Sequence, residues 1–170
     1  LRHRYAEDFP LSLYAGICFE QSYASVDGDS ASSAELYALL SAIGRFPVRQ
    51  DIAVTGSVNQ MGELQPVGGI NEKIQGFYNA CEACHLTGTQ GVIIPYQNKT
   101  SLILPYKIEE ALEEGMFHIW TISSIDEGLE LLSGLKTGER DRKGNYTSGS
   151  FNRLIDDELR NLCRVSQSFK

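Results

Sequence analysis

Residues 51–74 carry the sequence DIAVTGSVNQMGELQPVGGINEKI, in which an apolar segment, a glycine-rich segment and a helical pattern follow one another. The first part, 51–58, is rich in aliphatic side chains and predicts a buried strand. Three glycines and a proline in 59–69 indicate a turn-rich connection. The apolar residues that follow recur at helical spacing, so a helix is predicted over 70–84.

The chain before this stretch predicts a strand, a loop and a helix. The segment LSLYAGICFE at 11–20 alternates imperfectly between apolar and polar residues and predicts a strand. A polar loop at 21–29 leads into a predicted helix over 30–43. Gly44 is expected to end that helix and Pro47 to prevent its resumption.

The chain after it continues the alternation. Short apolar segments at 91–95 and 116–122 predict strands, and the patterns at 107–114 and 123–132 predict helices. Strands that alternate with helices indicate a mixed α/β domain. No internal repeat interrupts the pattern.

The last quarter of the chain differs in composition. Residues 134–150 are polar, charged and rich in glycine, which is typical of a linker or a surface arm. Residues 151–165 have an apolar stripe at helical spacing and predict an amphipathic helix. We therefore divide the chain into a main domain, 1–134, and a linker with a C-terminal helix, 135–170.

Composition excludes several classes of protein. The chain has 170 residues, 42% hydrophobic and 22% charged, which is ordinary for a globular protein. Its formal net charge of -7 argues against nucleic-acid binding. No apolar run approaches a membrane span or the core of a signal peptide, and the four cysteines are expected to be free thiols in a reducing compartment. These features predict a cytoplasmic location, and the start without Met suggests a piece of a longer protein.

The segment DGDSAS at 27–32 joins the polar loop to a predicted helix start. Serine becomes a good nucleophile when a base removes its proton, and unpaired N–H groups at a helix start can hold an oxyanion. Ser30 is therefore a candidate nucleophile, with the backbone near Ser30 and Ala31 as the oxyanion hole. A simpler interpretation is that Asp29 and Ser30 only cap the helix.

The segment VGGINEKI at 67–74 places Lys73 in the first turn of a predicted helix. A lysine can serve as a base only when neutral, so its ordinary pKa of ~10.4 must fall. The positive end of a helix dipole disfavours a cation, which suits that role. The alternative is an ordinary solvated lysine paired with an acid such as Glu72.

Taken together, these segments resemble the Lon protease domain, peptidase family S16. GDSAS is similar to its serine block, and GELQPVGGINEKI to its lysine block. PVRQDIAVTGSV is similar to its strand that ends in Thr-Gly, and GVIIPYQNK to its Val-Ile-Pro strand followed by Asn. The order and intervals agree over most of 14–132. The resemblance implies the α+β Lon proteolytic fold, mixed α/β and ribosomal protein S5 domain 2-like.

The resemblance also implies roles for individual residues. Ser30 matches the nucleophile and Lys73 the general base, which together form a Ser-Lys dyad. Thr55 matches a threonine that supports the lysine. The implied activity is that of a serine endopeptidase that cleaves unfolded or damaged proteins through an acyl-enzyme.

Two residues depart from the common bacterial form of the family. That form has Pro before the serine and Gly after the alanine, where this chain has Asp29 and Ser32. GDSAS is closer to the B-type branch, which includes archaeal membrane-anchored Lon and bacterial Lon-like proteins. Because a carboxylate near Lys73 would stabilise its ammonium form, we hypothesise that Asp29 can hold the isolated domain inactive.

The resemblance places the ATPase outside this chain. No phosphate-binding loop of the Gly-x-x-x-x-Gly-Lys-Ser/Thr type occurs in the sequence. ATP and Mg are therefore expected only in a linked AAA+ module, which the family usually assembles as a homo-hexamer. No cofactor or metal is expected in this domain.

Two alternatives remain open. Cys81, Cys84 and His85 match the C-x-x-C-H pattern of haem attachment, and the two thiols could also belong to a zinc site. Ordinary thiols beside an apolar helix face explain them more simply. The fold could also carry a non-catalytic binding domain, but the presence of both Ser30 and Lys73 favours a protease.

Overall fold

A computed structural model describes residues 1–18 and 28–168. The strands of this described part are Ile52–Val54 (β1), Ser57–Val58 (β2), Leu64–Gln65 (β3), Gly91–Pro95 (β4) and His118–Ile122 (β5). Its helices are Arg2–Tyr5 (α1), Ser32–Gly44 (α2), Ile70–Ala83 (α3), Tyr106–Glu113 (α4), Ile125–Ser133 (α5) and Phe151–Ser168 (α6). A 3-10 helix spans Tyr96–Ser101.

The chain forms two compact units. The first contains the described residues within Leu1–Asp27, Glu35–Val48 and Leu129–Lys170, and the second contains Gly28–Ala34 and Arg49–Gly128. The boundary between 134 and 135 that the sequence suggests stays a prediction.

A parallel sheet of order β1-β4-β5 lies at the centre of the second unit. All five residues of β4 are buried, as expected for a central strand in a parallel sheet. Gly91 is required at its start, because a Cβ there would collide with the carbonyl oxygen of His118 on β5. The apolar face of α3 packs on this sheet, and Tyr78 meets Phe117 edge to face at 5.3 Å.

A two-stranded hairpin, β2–β3, lies beside the sheet within the same unit. The side chain of Asn59 closes its turn, since Asn59 Oδ1 accepts hydrogen bonds from the N–H groups of Met61 and Glu63. Leu64 is fully buried on β3, and its N–H donates to the carbonyl oxygen of Ser123. The hairpin therefore connects the end of the first strand to the glycine-rich loop before α3.

In the first unit, the apolar stripe of α6 is buried against other residues of that unit. Phe151, Ile155 and Leu159 are almost completely buried. The ring of Phe151 lies 6.5 Å from that of Phe46, and the hydroxyl of Tyr5 donates to Asn152 Oδ1. The predicted amphipathic helix at 151–165 is thus confirmed, with an end at Ser168.

The mixed α/β prediction is confirmed, with corrections to four segments. No regular secondary structure occurs in 11–18, where a strand was expected; residues 19–20 of that segment and residues 21–27 of the expected loop lie outside the described chain. Tyr14 is 97% exposed, and a strand needs a neighbour to hydrogen-bond, which these described residues lack. The strand expected over 51–58 is two strands, because Thr55 and Gly56 between them belong to neither sheet and bond to the carbonyls of Ile93 and Ser30.

The other two corrections are smaller. The helix expected from residue 30 begins at Ser32, because the N–H of Ser32 bonds back to the carbonyl of Asp29 in a turn. The connection at 59–69 contains the short strand β3, which its glycines and proline concealed. The remaining predicted elements agree with the structure to within two residues.

Candidate active site

Ser30 lies in the turn before α2 and is held by the segment after β1. The N–H of Gly56 donates to the carbonyl oxygen of Ser30 at 2.8 Å, and the N–H of Ser33 donates to the carbonyl oxygen of Gly56 at 3.1 Å. Gly56 is buried, and a Cβ there would collide with Leu64 Cδ2. Glycine at position 56 therefore leaves room for Leu64, whereas the segment of Ser30 would meet such a Cβ only through Ser33 Oγ, at an ordinary 3.4 Å.

Thr55 links this turn to the sheet. It follows β1 directly, and its N–H donates to the carbonyl oxygen of Ile93 on β4 at 3.1 Å. Its side chain is buried, and Thr55 Oγ1 donates to the carbonyl oxygen of Ser30 at 3.3 Å. The hydroxyl of Thr55 is therefore fixed beside the candidate nucleophile.

Lys73 reaches the same hydroxyl from the other side. It lies in the first turn of α3, where its N–H donates to the carbonyl oxygen of Gly69 at 3.1 Å. Gly69 begins the helix with φ of 65°, a left-handed conformation that suits glycine. Lys73 Nζ donates to Thr55 Oγ1 at 3.4 Å. No carboxylate among the described residues forms an ion pair with Lys73.

Ser30, Lys73 and Thr55 line one open cavity of about 210 Å³. Alanine and valine side chains form the rest of its lining: Ala31, Ala53, Val54 and Val92. Within the described residues the structure records no direct hydrogen bond between Ser30 and Lys73, and Thr55 bridges them instead. Catalytic hydrogen bonds often form fully only when a substrate binds, so a missing direct bond does not argue against a dyad.

Two backbone donors next to Ser30 are available to a ligand. The N–H groups of Ser32 and Ser33 bond to the carbonyls of Asp29 and Gly56. Those of Ser30 and Ala31 donate to no acceptor in the part of the chain that the structure describes. Unpaired N–H groups at the start of α2 are suited to a developing negative charge.

Two asparagines hold the segment 67–73 that leads to Lys73, a role that was expected of neither from the sequence. The side chain of Asn98 accepts from the N–H of Val67 at 3.0 Å and donates to its carbonyl at 2.9 Å. Asn71 in the first turn of α3 bonds to the carbonyl of Ser101 and the N–H of Ile103. The Asn after the Val-Ile-Pro strand was the signal for the first of these contacts; nothing in the sequence marked Asn71.

Asp29 contacts the hairpin rather than Lys73. The hydroxyl of Ser57 on β2 donates to Asp29 Oδ2 at 2.6 Å. Asp29 does not line the cavity that contains Lys73. The expected effect of Asp29 on Lys73 stays a prediction.

The cysteine motif lies at the end of α3. Cys81 is buried, and burial raises the pKa of its thiol; Cys84 is exposed. Neither thiol is in a disulfide. Among the described residues no group of three or more His, Cys, Asp or Glu side chains could hold a metal ion.

No helix within 1–18 or 28–168 is long and apolar enough to cross a membrane.

Known proteins are similar to this chain over most of its length. Residues 19–133 match the family described as Lon protease (S16) C-terminal proteolytic domain. The chain is 54% identical over 121 residues, 71% of its length, to the protein of Escherichia coli K12 named "Putative Lon protease homolog", of which the match covers 21%. It is 41% identical over 88% of its length to the protein of that name from Haemophilus influenzae, of which 25% is covered.

An archaeal relative matches a shorter part of the chain. The "Archaeal Lon protease" of Pyrococcus abyssi is 42% identical over 66% of the chain, and the match covers 10% of that protein. The chain thus spans a quarter or less of the length of these relatives. The matched residues include the turn of Ser30, the strand before Thr55 and the helix of Lys73. The chain belongs to the Lon protease family, as a proteolytic domain of the S16 type.

Proposed function

We propose that this domain is a serine endopeptidase in which Ser30 is the nucleophile and Lys73 the general base. The observation that carries the proposal is the position of Thr55 Oγ1, which bonds to Lys73 Nζ and to the carbonyl of Ser30 at the edge of one cavity. A nucleophile, a base and a third group that orients them are the parts that acyl transfer requires.

In the proposed reaction the neutral amine of Lys73 removes the proton of Ser30 Oγ as that oxygen attacks a peptide carbonyl. Lys73 then protonates the leaving amine, and an acyl-enzyme on Ser30 remains. Water, deprotonated by Lys73, hydrolyses the ester and restores the free serine. The position of Lys73 in the first turn of α3, on the lining of the same cavity as Ser30, supports this cycle.

The N–H groups of Ser30 and Ala31, which meet no acceptor among the described residues, are the proposed oxyanion hole. They can donate to the oxyanion of each tetrahedral intermediate, where charge develops. The adjacent start of α2 adds a favourable dipole. Small side chains around Ser30 leave space for a peptide backbone.

Substrates and partners are proposed from the family. The chain covers a fraction of each relative, so a linked AAA+ module that uses ATP and Mg is proposed to lie outside it. Unfolded or damaged proteins are the proposed substrates and a homo-hexamer the proposed assembly. A cytoplasmic location is supported by the four unpaired thiols.

The direct test is cleavage of a fluorogenic peptide and of unfolded casein by the chain and its variants. Ser30→Ala and Lys73→Ala are each expected to lower kcat by at least about a thousandfold, the usual effect of removing a member of a catalytic unit. Ser133→Ala and Lys107→Ala, which alter residues outside the cavity, should keep full activity. Cleavage that persists without Ser30 would rule out the proposal.

A further inference from the structure

The two residues that depart from the common bacterial form of the family both bind the same short strand. Asp29 Oδ2 accepts a hydrogen bond from Ser57 Oγ at 2.6 Å. Ser32 Oγ accepts one from the N–H of Val58 at 3.0 Å. Ser57 and Val58 are the whole of β2. A proline and a glycine at these positions would offer no side-chain acceptor to β2.

These side-chain bonds lie on either side of the candidate nucleophile. Asp29 comes directly before Ser30, and Ser32 comes two residues after it. Between them the carbonyl of Ser30 accepts from the N–H of Gly56. The turn is thus bonded to the segment 56–58 before, at and after Ser30.

The bond from Ser57 also engages the carboxylate of Asp29, the residue directly before Ser30. Lys73 is the one ionisable side chain among the described residues that line the cavity. Glu72 precedes Lys73 on α3, and its side chain lies near Gly69. A Cβ atom added at Gly69 would be 3.7 Å from Glu72 Oε2. Asp29, in contrast, is exposed and adjacent to Ser30, so its side chain needs a partner that fixes its direction.

We propose that Asp29 and Ser32 are positioning residues that fasten the turn of Ser30 to β2, and that Ser57 is the partner through which Asp29 acts. The proposal rests on the proposed function, because it concerns the orientation of the same nucleophile. In this proposal Asp29 promotes catalysis, whereas an Asp29 that restrained Lys73 would inhibit it. Loss of the Asp29 bond should slow catalysis, whereas loss of a restraint should accelerate it.

The test compares kcat and KM of peptide cleavage by the full chain and its variants. Asp29→Ala and Ser57→Ala are each expected to lower kcat about tenfold with little change in KM, the effect of one lost hydrogen bond to a charged group. Because both remove the same bond, the double variant should be no slower than either single one. Asp29→Asn should retain most of the activity, since its amide oxygen still accepts from Ser57.

Ser32→Ala tests the second bond separately. It should lower kcat a few-fold, because a neutral hydrogen bond is weaker than one to a carboxylate. Ser133→Ala is the matched control, because Ser133 Oγ also accepts from a backbone N–H, that of Leu135, at 3.1 Å. Its kcat should equal that of the unaltered chain.

Three results would overturn the proposal. They are a rise in kcat for Asp29→Ala, an unchanged kcat for both Asp29→Ala and Ser57→Ala, or losses that add in the double variant. If Asp29→Ala does not fold, Ser57→Ala is compared with Ser57→Thr, which keeps the hydroxyl. A lower kcat for Ser57→Ala alone would support a positioning role for the bond, and equal kcat values would reject it.

The Ser30→Ala variant distinguishes failure of this proposal from failure of the proposed function, because cleavage without Ser30 would reject the dyad itself.

Discussion

Lys73 Nζ donates a hydrogen bond of 3.4 Å to Thr55 Oγ1, which joins the first turn of α3 to the end of β1. The same hydroxyl donates to the carbonyl of Ser30. One buried threonine therefore contacts both partners of the proposed dyad. Thr55 directly follows β1, and its N–H donates to the carbonyl of Ile93 on β4. The position of the Thr55 hydroxyl is therefore set by the sheet.

Replacement of Thr55 by valine should impair catalysis more than stability. Thr55→Val keeps the shape of the side chain but removes the hydroxyl from both Lys73 and Ser30. We expect kcat/KM to fall between about tenfold and a hundredfold, since a small displacement of reacting groups has that effect. Thr55→Ser should recover part of the activity. Thr87→Val, in an exposed loop, should leave kcat/KM unchanged. Equal activity of Thr55→Val and the unaltered chain would contradict this role.

Asn98 should be required for both stability and activity. Asn98→Ala removes two hydrogen bonds to the backbone of Val67 and leaves both groups without that partner. The free energy of unfolding should fall by about 2–4 kcal/mol, and cleavage should weaken because the loop before Lys73 is loosened. Urea denaturation measures the first effect. Gln75→Ala, at an exposed position of α3, is the control and should leave the denaturation midpoint in place.

Glycine is predicted to be essential at 56 but not at 76. Gly56→Ala would force a Cβ against Leu64 and should cost about 1–3 kcal/mol of stability, with loss of cleavage. Gly76→Ala faces open space on α3 and should stabilise the fold by up to about 1 kcal/mol. Thermal denaturation of the two variants tests the pair. A stable, active Gly56→Ala variant would be inconsistent with the close contact described.

Stability should depend on pH through Asp51. The Arg49 guanidinium beside Asp51 lowers the pKa of that carboxyl from 3.8 to about 2. A carboxyl with a lowered pKa stabilises the fold above its unfolded value, and this contribution is lost as the pH falls from about 4 to about 2. Asp51 is a third exposed, so screening limits the effect to on the order of 1 kcal/mol.

The variant Arg49→Ala tests that pH dependence. It should be less stable than the unaltered chain at pH 7, and the difference should shrink as the pH falls from about 4 to below about 2, where Asp51 becomes protonated in both. Urea denaturation across this range gives the difference. A constant difference at every pH would assign the effect to the bond from Arg49 to the carbonyl of Thr89 instead.

The sequence predicted the elements with strong internal patterns. The helix that contains Lys73 was predicted from apolar residues at helical spacing, and the strand at 91–95 from an unbroken apolar run. Both patterns are local, so they can be read without knowledge of tertiary contacts. The strand expected at 11–20 was wrong in its described part, because a strand also requires a partner that its own sequence cannot reveal. Strand β3 was missed since two residues are too short for a periodic pattern.

The candidate site was predicted residue by residue, but its connections were not. Ser30, Thr55 and Lys73 were selected from separate motifs, and the structure brings all three to one cavity. The hypothesis that Asp29 restrains Lys73 stays a prediction, and the bond that the structure records for Asp29 is to Ser57, a residue 28 positions away to which the sequence assigned no role. Contacts between distant hydroxyls and carboxylates depend on the fold, so spacing along the chain does not disclose them.

The most direct measurement is the mass-spectrometric location of the adduct formed by a fluorophosphonate on the purified chain. We predict a single adduct on Ser30, formed rapidly in the unaltered chain and in Lys107→Ala, and lost in Lys73→Ala. An adduct on another serine, or equal labelling of Ser30 in Lys73→Ala, would contradict a dyad of Ser30 and Lys73.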